Sequence, residues 1–218
     1  MHRHRVAAAL ACLPLALGIA IAFPAPASAD DARMLKPADV PYSAGDAEGP
    51  AMETMDLPAI GGVELCDATL GSRSVTIAGP KTFHQVVIGA GAGGVVSEHV
   101  YVFPSATAAE KAWALAKKAA PRCAGTFSDK QTWLGKVTTR LTNGTAEAAN
   151  GIWIKHSDTF GKASSAGRSH DVRYSVFTRA GNAIIVTSYT KQNTGVIQPG
   201  QMDAIIGLAK TLSDRWTS

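Results

Sequence analysis

The chain has 218 residues, 46% of them hydrophobic and 17% charged, with a formal net charge of +4 at pH 7. That length suits one domain with a real core. No basic block stands beyond Lys117-Lys118, and no phosphate-binding, metal-cluster or cofactor motif is present, so neither a nucleic-acid partner nor a cofactor is expected.

The first 29 residues read as a secretory signal peptide. His2, Arg3, His4 and Arg5 form a basic n-region, Val6 to Phe23 is apolar, and Ala27-Ser28-Ala29 ahead of Asp30 is a small-x-small cleavage site. The apolar run falls near the lower length limit for a membrane span and is interrupted by Pro14 and Gly18, so cleavage after Ala29 is expected over retention as an anchor. Leu10-Ala11-Cys12 faintly resembles a lipoprotein site, but only about six apolar residues precede Cys12, fewer than an h-region needs. The expectation is a secreted protein with no stable membrane insertion. Cleavage removes Arg3 and Arg5, which lowers the formal charge from +4 to +2. It also removes Cys12, leaving Cys66 and Cys123. Two cysteines in an oxidising compartment are expected to pair, and a loop of that length would be stabilised by roughly 4 kcal/mol in the chain-entropy model.

Residues 30–56 carry Pro37, Pro41 and Pro50 and few large apolar residues, and read as a flexible or loosely docked tail. Order is expected to begin at Leu57, in a short helix or turn pinned by Cys66, and residues 57–218 form one domain. Ser74 to Ala78 is a short strand closed by Gly79-Pro80. Phe83 to Cys123 is the centre of the chain: a β-prone run to Ile88, glycines from Gly89 to Gly94, and a returning run from Val95 to Phe103. A four-residue loop would set His84 opposite His99. One residue more would set His84 opposite Glu98 and align Val86, Ile88, Val96, Val100 and Val102 on one face, the register that buries more.

Ser105 caps a helix that Pro121 stops, with Ala109, Ala112, Trp113, Ala116 and Ala120 on its apolar side. From Trp133 onward the pattern is of antiparallel strands. Lys136 to Leu141 alternates, Asn143-Gly144 reads as a turn (and begins a glycosylation sequon with Thr145), and Gly151 to Ser157 sets Trp153 opposite Ile152 and Ile154. Lys162 to Arg168 reads as a mobile loop. His170 to Thr178 and Ala183 to Tyr189 form a hairpin about Gly181-Asn182. A final helix opens near Pro199, with Met202, Ile205, Ile206, Ala209, Leu212 and Trp216 at 3.6-residue spacing. The class is α+β: an antiparallel sheet of about five to seven strands with two main helices packed on it, in a single domain.

No catalytic constellation stands out. Ser169-His170-Asp171 and Ser97-Glu98-His99 hold triad residue types, but strand neighbours point to opposite faces. The glycine run joins two strands instead of opening a helix, so it reads as a turn and not as a phosphate cradle. His84 with His99 or Glu98 could bind a metal or switch with pH, yet two ligands do not make a site and no metal is expected. Trp133 and Trp153 are the exposed aromatics that could line a groove, or else fill a second core. The candidate ligand-binding residues are therefore Trp133, Trp153, His84 and His99.

Phe103-Pro104-Ser105 leading to an alanine-rich helix and Cys123-Ala124-Gly125 resembles the sensor domain of mycobacterial PknH-type kinases. So does the ending: a strand hairpin with Gly181-Asn182-Ala183-Ile184-Ile185-Val186, then a helix closing on Leu208-Ala209. The module also occurs alone in exported actinobacterial lipoproteins and secreted proteins. The resemblance spans roughly Leu57 to Trp216 and implies an antiparallel sheet with packed helices and a cleft for an unknown ligand. The family's second cysteine pair has no counterpart here. The expectation is a non-catalytic, monomeric, sensor-like module binding a small molecule or a cell-envelope component. The alternatives are a small secreted hydrolase with a fold-assembled site and a protein-interaction module.

Overall fold

The computed structural model describes residues 32–41, 57–58, 62–66, 75–90, 94–131, 135–161, 170–192 and 196–217. The expected signal peptide, Trp133 and the loop expected at 162–168 lie outside the described residues.

Among the described residues, ten strands and two α-helices follow one another. They are β1 Leu57–Pro58, β2 Val63–Glu64, β3 Thr76–Ile77, β4 Thr82–Gly89, β5 Gly94–Val102, α1 Ala106–Ala119, β6 Gly125–Gln131, β7 Gly135–Ala146, β8 Gly151–Phe160, β9 His170–Ala180, β10 Ala183–Gln192 and α2 Pro199–Thr217. Seven long strands and the two-residue β1 make one antiparallel sheet in the order β1-β4-β5-β10-β9-β8-β7-β6, while β2 and β3 pair apart from it. The α+β class is as expected. Of the stretch from Leu57 expected as a short helix or turn, the described residues form the two short strands β1 and β2.

The central strands β9 and β10 are buried on both faces over much of their length, because an α-helix packs on each side of the sheet. One face carries Val86, Val100, Val176 and Ile185 under α2, whose Ile205, Ala209 and Leu212 are fully buried. Each such aliphatic side chain contributes about 2 kcal/mol on burial. The other face carries Phe177, Ile184 and Val186 under α1. Alanines at 109, 112 and 116 let α1 lie close to the sheet, with Trp113 as its large anchor. Ser105 caps α1 as expected, its hydroxyl accepting from the Ala108 N–H at 3.1 Å. Cys66 and Cys123 form a disulfide, with Cα atoms 5.5 Å apart, that ties β2 to the turn after α1.

Three local expectations change. In the β4–β5 hairpin the pairs run His84↔Val100, Val86↔Glu98 and Gly89↔Val95, with the Ala90 N–H bonded to Gly94 O. The connection is thus tighter than either loop length considered, and His84 opposes neither His99 nor Glu98. The apolar face survives, since the shift by a residue pair keeps every side chain on its own side.

Asn143-Gly144 is not a turn. It lies inside β7, opposite Ile154 and Trp153, and the chain reverses later through a short 3-10 turn at Glu147–Ala149, with Asn150 in the left-handed region at φ 49°. Gly144 is required by close approach: a Cβ there would stand 2.6 Å from Trp153 Cζ2. The Asn143 side chain is engaged, its Nδ2 donating to Ala120 O at 2.9 Å.

The segment expected to be a loose tail also differs in part. Residues 32–41 dock on the α2 side, where Met34, Leu35 and Val40 join the core and Arg215 of α2 grips Asp39 through two bonds of 2.8 and 2.6 Å. Short apolar residues spread among prolines and acids carry no periodicity, so this strap is invisible to pattern reading.

Candidate ligand-binding site

α1 covers only part of its face. Beyond it the sheet floor is bare enough to leave a cavity of about 260 Å³, and no residue of α1 lines it. The reason lies in side-chain size. Ser97 of β5, Ser188 of β10 and Ser175 of β9 stand directly opposite one another in register, making a row of three serines across the middle of the sheet. Large residues there would fill the space; serines leave a dent floored with hydroxyls. Ser175 and Ser188 are buried and bonded to each other at 2.8 Å.

The adjoining row on one side runs Thr190, Arg173, His156 and Leu141, and that on the other runs His99, Val186 and Phe177. Phe83 and Tyr101 close one end, with ring centroids 4.9 Å apart. Glu64 of β2 and Leu65 just after it form a wall beside the Cys66–Cys123 disulfide, so the cross-link also fixes the cavity's edge.

Polar groups along one side of the cavity, on the same face of the sheet, are chained together. Arg173 Nη2 lies 3.2 Å from His156 Nδ1, His156 Nε2 lies 3.0 Å from Asp158 Oδ1, and the Thr139 hydroxyl donates to the same Asp158 oxygen at 2.5 Å. A guanidinium can only donate, so His156 Nδ1 accepts and Nε2 carries the proton toward Asp158. Burial alone would raise the Asp158 carboxyl, but the hydrogen bond and charge of His156, the Thr139 hydroxyl and the Arg173 charge outweigh it and hold the group below its usual range. Burial, reinforced by Arg173, pushes the His99 imidazole down to about 4. Burial and the nearby Glu64 push the Tyr101 phenol up to about 12. At neutral pH the cavity thus offers a neutral imidazole, a protonated phenol, serine hydroxyls and one guanidinium.

Of the residues singled out from sequence, His99 lines this cavity, its ring edge-on to Phe83 at 5.5 Å. His84 does not: it sits on the opposite face of the sheet, buried, 6.1 Å from the Trp216 ring. Trp153 also belongs to that opposite face, half-buried against the core with its ring 5.6 Å from Tyr174. Trp133 lies outside the described residues. Within Ser97-Glu98-His99 the alternation holds, with Ser97 and His99 in the cavity and Glu98 fully buried on the α2 side. The serine row and the Arg173–His156–Asp158 chain escaped sequence reading. Their trace was there as polar residues at alternate positions of otherwise apolar strands, Ser97 and His99, Arg173 and Ser175, Ser188 and Thr190. Among the described residues no three His, Cys, Asp or Glu side chains gather as a metal site, and no helix is long and apolar enough to cross a membrane.

No protein-family model matches the sequence, and no curated protein matches it. Among solved structures the fold is similar to the extracellular domain of PknH from Mycobacterium tuberculosis, with a TM-score of 0.55 at 12% sequence identity, covering 84% of this chain and 93% of that one. The likeness is one of fold.

Proposed function

We propose that this protein is a sensor-like, ligand-binding domain that takes a small ligand in the serine-floored cavity and carries out no covalent chemistry on it. The observation that carries the reading is a concavity built into the sheet from polar side chains that a plain core would replace with apolar ones. Burying serines where valine or leucine would pack costs stability, and sites that do so are commonly functional.

The hydrolase alternative is less well supported by the same groups. Both ring nitrogens of His156 are occupied, by Arg173 and by Asp158, and the Ser175 and Ser188 hydroxyls bond each other instead of a base. The fold similarity to an extracellular domain and the disulfide both support work outside the cytoplasm. In this reading residues 1–29 are removed as a signal peptide and the mature chain acts as a monomer. The ligand is a small molecule or a piece of the cell envelope.

The test is a thermal-shift screen of the purified domain against cell-wall fragments, small acids and sugars, with Ser188→Leu as the blocked control. Hits that stabilise the parent and not the variant support the reading. Hits that stabilise both equally, or turnover of any screened ester or glycoside, contradict it.

A further inference from the structure

We infer that the cavity binds an uncharged sugar ring, held by the side chains of Ser97, His99 and Tyr101 and packed against Phe83. The inference rests on reading the cavity as a ligand site and adds the chemistry of what enters it.

Ser97, His99 and Tyr101 occupy alternate positions of β5, so all three point to one face of the sheet, and all three line the cavity. None of these side chains has a hydrogen-bond partner among the described residues. Each is uncharged at neutral pH, since burial keeps the His99 imidazole unprotonated and the Tyr101 phenol protonated. Each can both donate and accept. The hydroxyls of a sugar do the same, so they satisfy such a row whichever way its protons point. An apolar occupant would cut the row off from water and return no bonds, a cost that falls on every group left unpaired.

Charge argues for a neutral ligand. Arg173 is bonded to His156, and its charge already acts on Asp158, so the cavity asks for no counter-ion on that side. Glu64 on the wall repels an anion, and being exposed to solvent it offers a cation little in return. Enclosing a charged ligand here would strip its water without supplying a buried partner.

The Phe83 end suits the body of a sugar. Phe83 and Tyr101 are cross-strand partners with ring centroids 4.9 Å apart. The face of an aromatic ring is electron-rich and attracts the polarised C–H groups that a sugar presents between its hydroxyls. A volume of about 260 Å³ lies just below the range of drug-sized pockets, which limits the occupant to a small molecule such as a single sugar.

The test measures binding to the purified chain, by calorimetry, of the methyl glycosides of glucose, galactose and mannose, and of the matching uronates and 2-amino glycosides. The best neutral glycoside is expected to bind at least about tenfold more tightly than its charged counterparts, the least that an unpaired charge should cost on burial. Tyr101→Phe removes only an unpaired hydroxyl, so it should melt with the parent and weaken the glycoside by about fivefold. Should Tyr101→Phe melt early, Ser97→Ala serves in its place and should weaken the glycoside by about threefold. If a uronate or amino glycoside binds as tightly as the neutral sugar, or if neither variant moves the affinity, the inference falls. If no glycoside binds while another compound of the thermal-shift screen stabilises the parent and not Ser188→Leu, the sugar assignment falls and the ligand site stands. If nothing stabilises the parent selectively, both readings fall.

Discussion

Leu35 donates its backbone N–H to Glu98 Oε2 at 2.6 Å, joining residues 63 positions apart and seating the N-terminal strap against the sheet. The carboxylate is fully buried, and its other oxygen has no partner among the described residues. Burial pushes Glu98 up to about 7, against the pull of the Leu35 N–H and the charge of Arg215.

Two buried groups therefore oppose each other as pH changes. Glu98 binds its proton more tightly in the folded chain, so its contribution weakens as pH rises from about 4.5 to about 7. His99 binds its proton less tightly when folded, so its contribution weakens as pH falls from about 6.5 to about 4. Each full swing is on the order of 3 kcal/mol. The parent should show nearly flat stability between pH 5 and 6.5. Glu98→Gln should gain stability with rising pH over that range, and His99→Gln should lose it. Urea unfolding at a series of pH values reads this out, and parallel curves for all three proteins would refute it.

The strap should matter to the whole fold. Leu35→Ala empties a fully buried site and should cost about 3 kcal/mol. Arg215→Ala removes the two-pronged grip on Asp39 and should cost about 1 kcal/mol, since that pair is partly exposed. Chemical denaturation gives both values, and limited proteolysis near residues 32–41 should speed up in each variant. An unchanged denaturation midpoint in Leu35→Ala would mean that the strap does not dock.

Gly144→Ala should destabilise by about 1–3 kcal/mol, because the new methyl meets the Trp153 ring. A shift in tryptophan emission should accompany the loss. Gly200→Ala, where nothing stands within 4 Å, is the control and should stay close to the parent.

Breaking the disulfide with Cys66→Ser and Cys123→Ser should cost about 4 kcal/mol by the chain-entropy account. It should also loosen the Glu64–Leu65 wall, so ligand stabilisation should shrink beyond the loss in stability. Equal melting with and without reductant would argue that the bond contributes nothing.

The elements legible in the sequence were those with a strong period or a local cap. α1 and α2, the β9–β10 hairpin at Gly181 and the cysteine pair were all visible, because Ser105, Pro199 and the spacing of apolar residues act over a few positions. The β4–β5 register was not, since a glycine run fits several loop lengths equally well. Asn143-Gly144 misled because the dipeptide favours turns in isolation, whereas here the glycine clears space for a ring on the neighbouring strand. His84 and Trp153 looked like site residues but are held on the α2 face. The site itself needs three serines from three strands, and only sheet order brings them together.

The account stands or falls on where a ligand lands. Amide-shift mapping by NMR during titration with a hit from the thermal-shift screen addresses that directly. The account predicts changes concentrated at Ser97, His99, Arg173, Ser175 and Ser188, with His84 and Trp153 still. Changes centred on the α2 face, or spread without a focus, would contradict it.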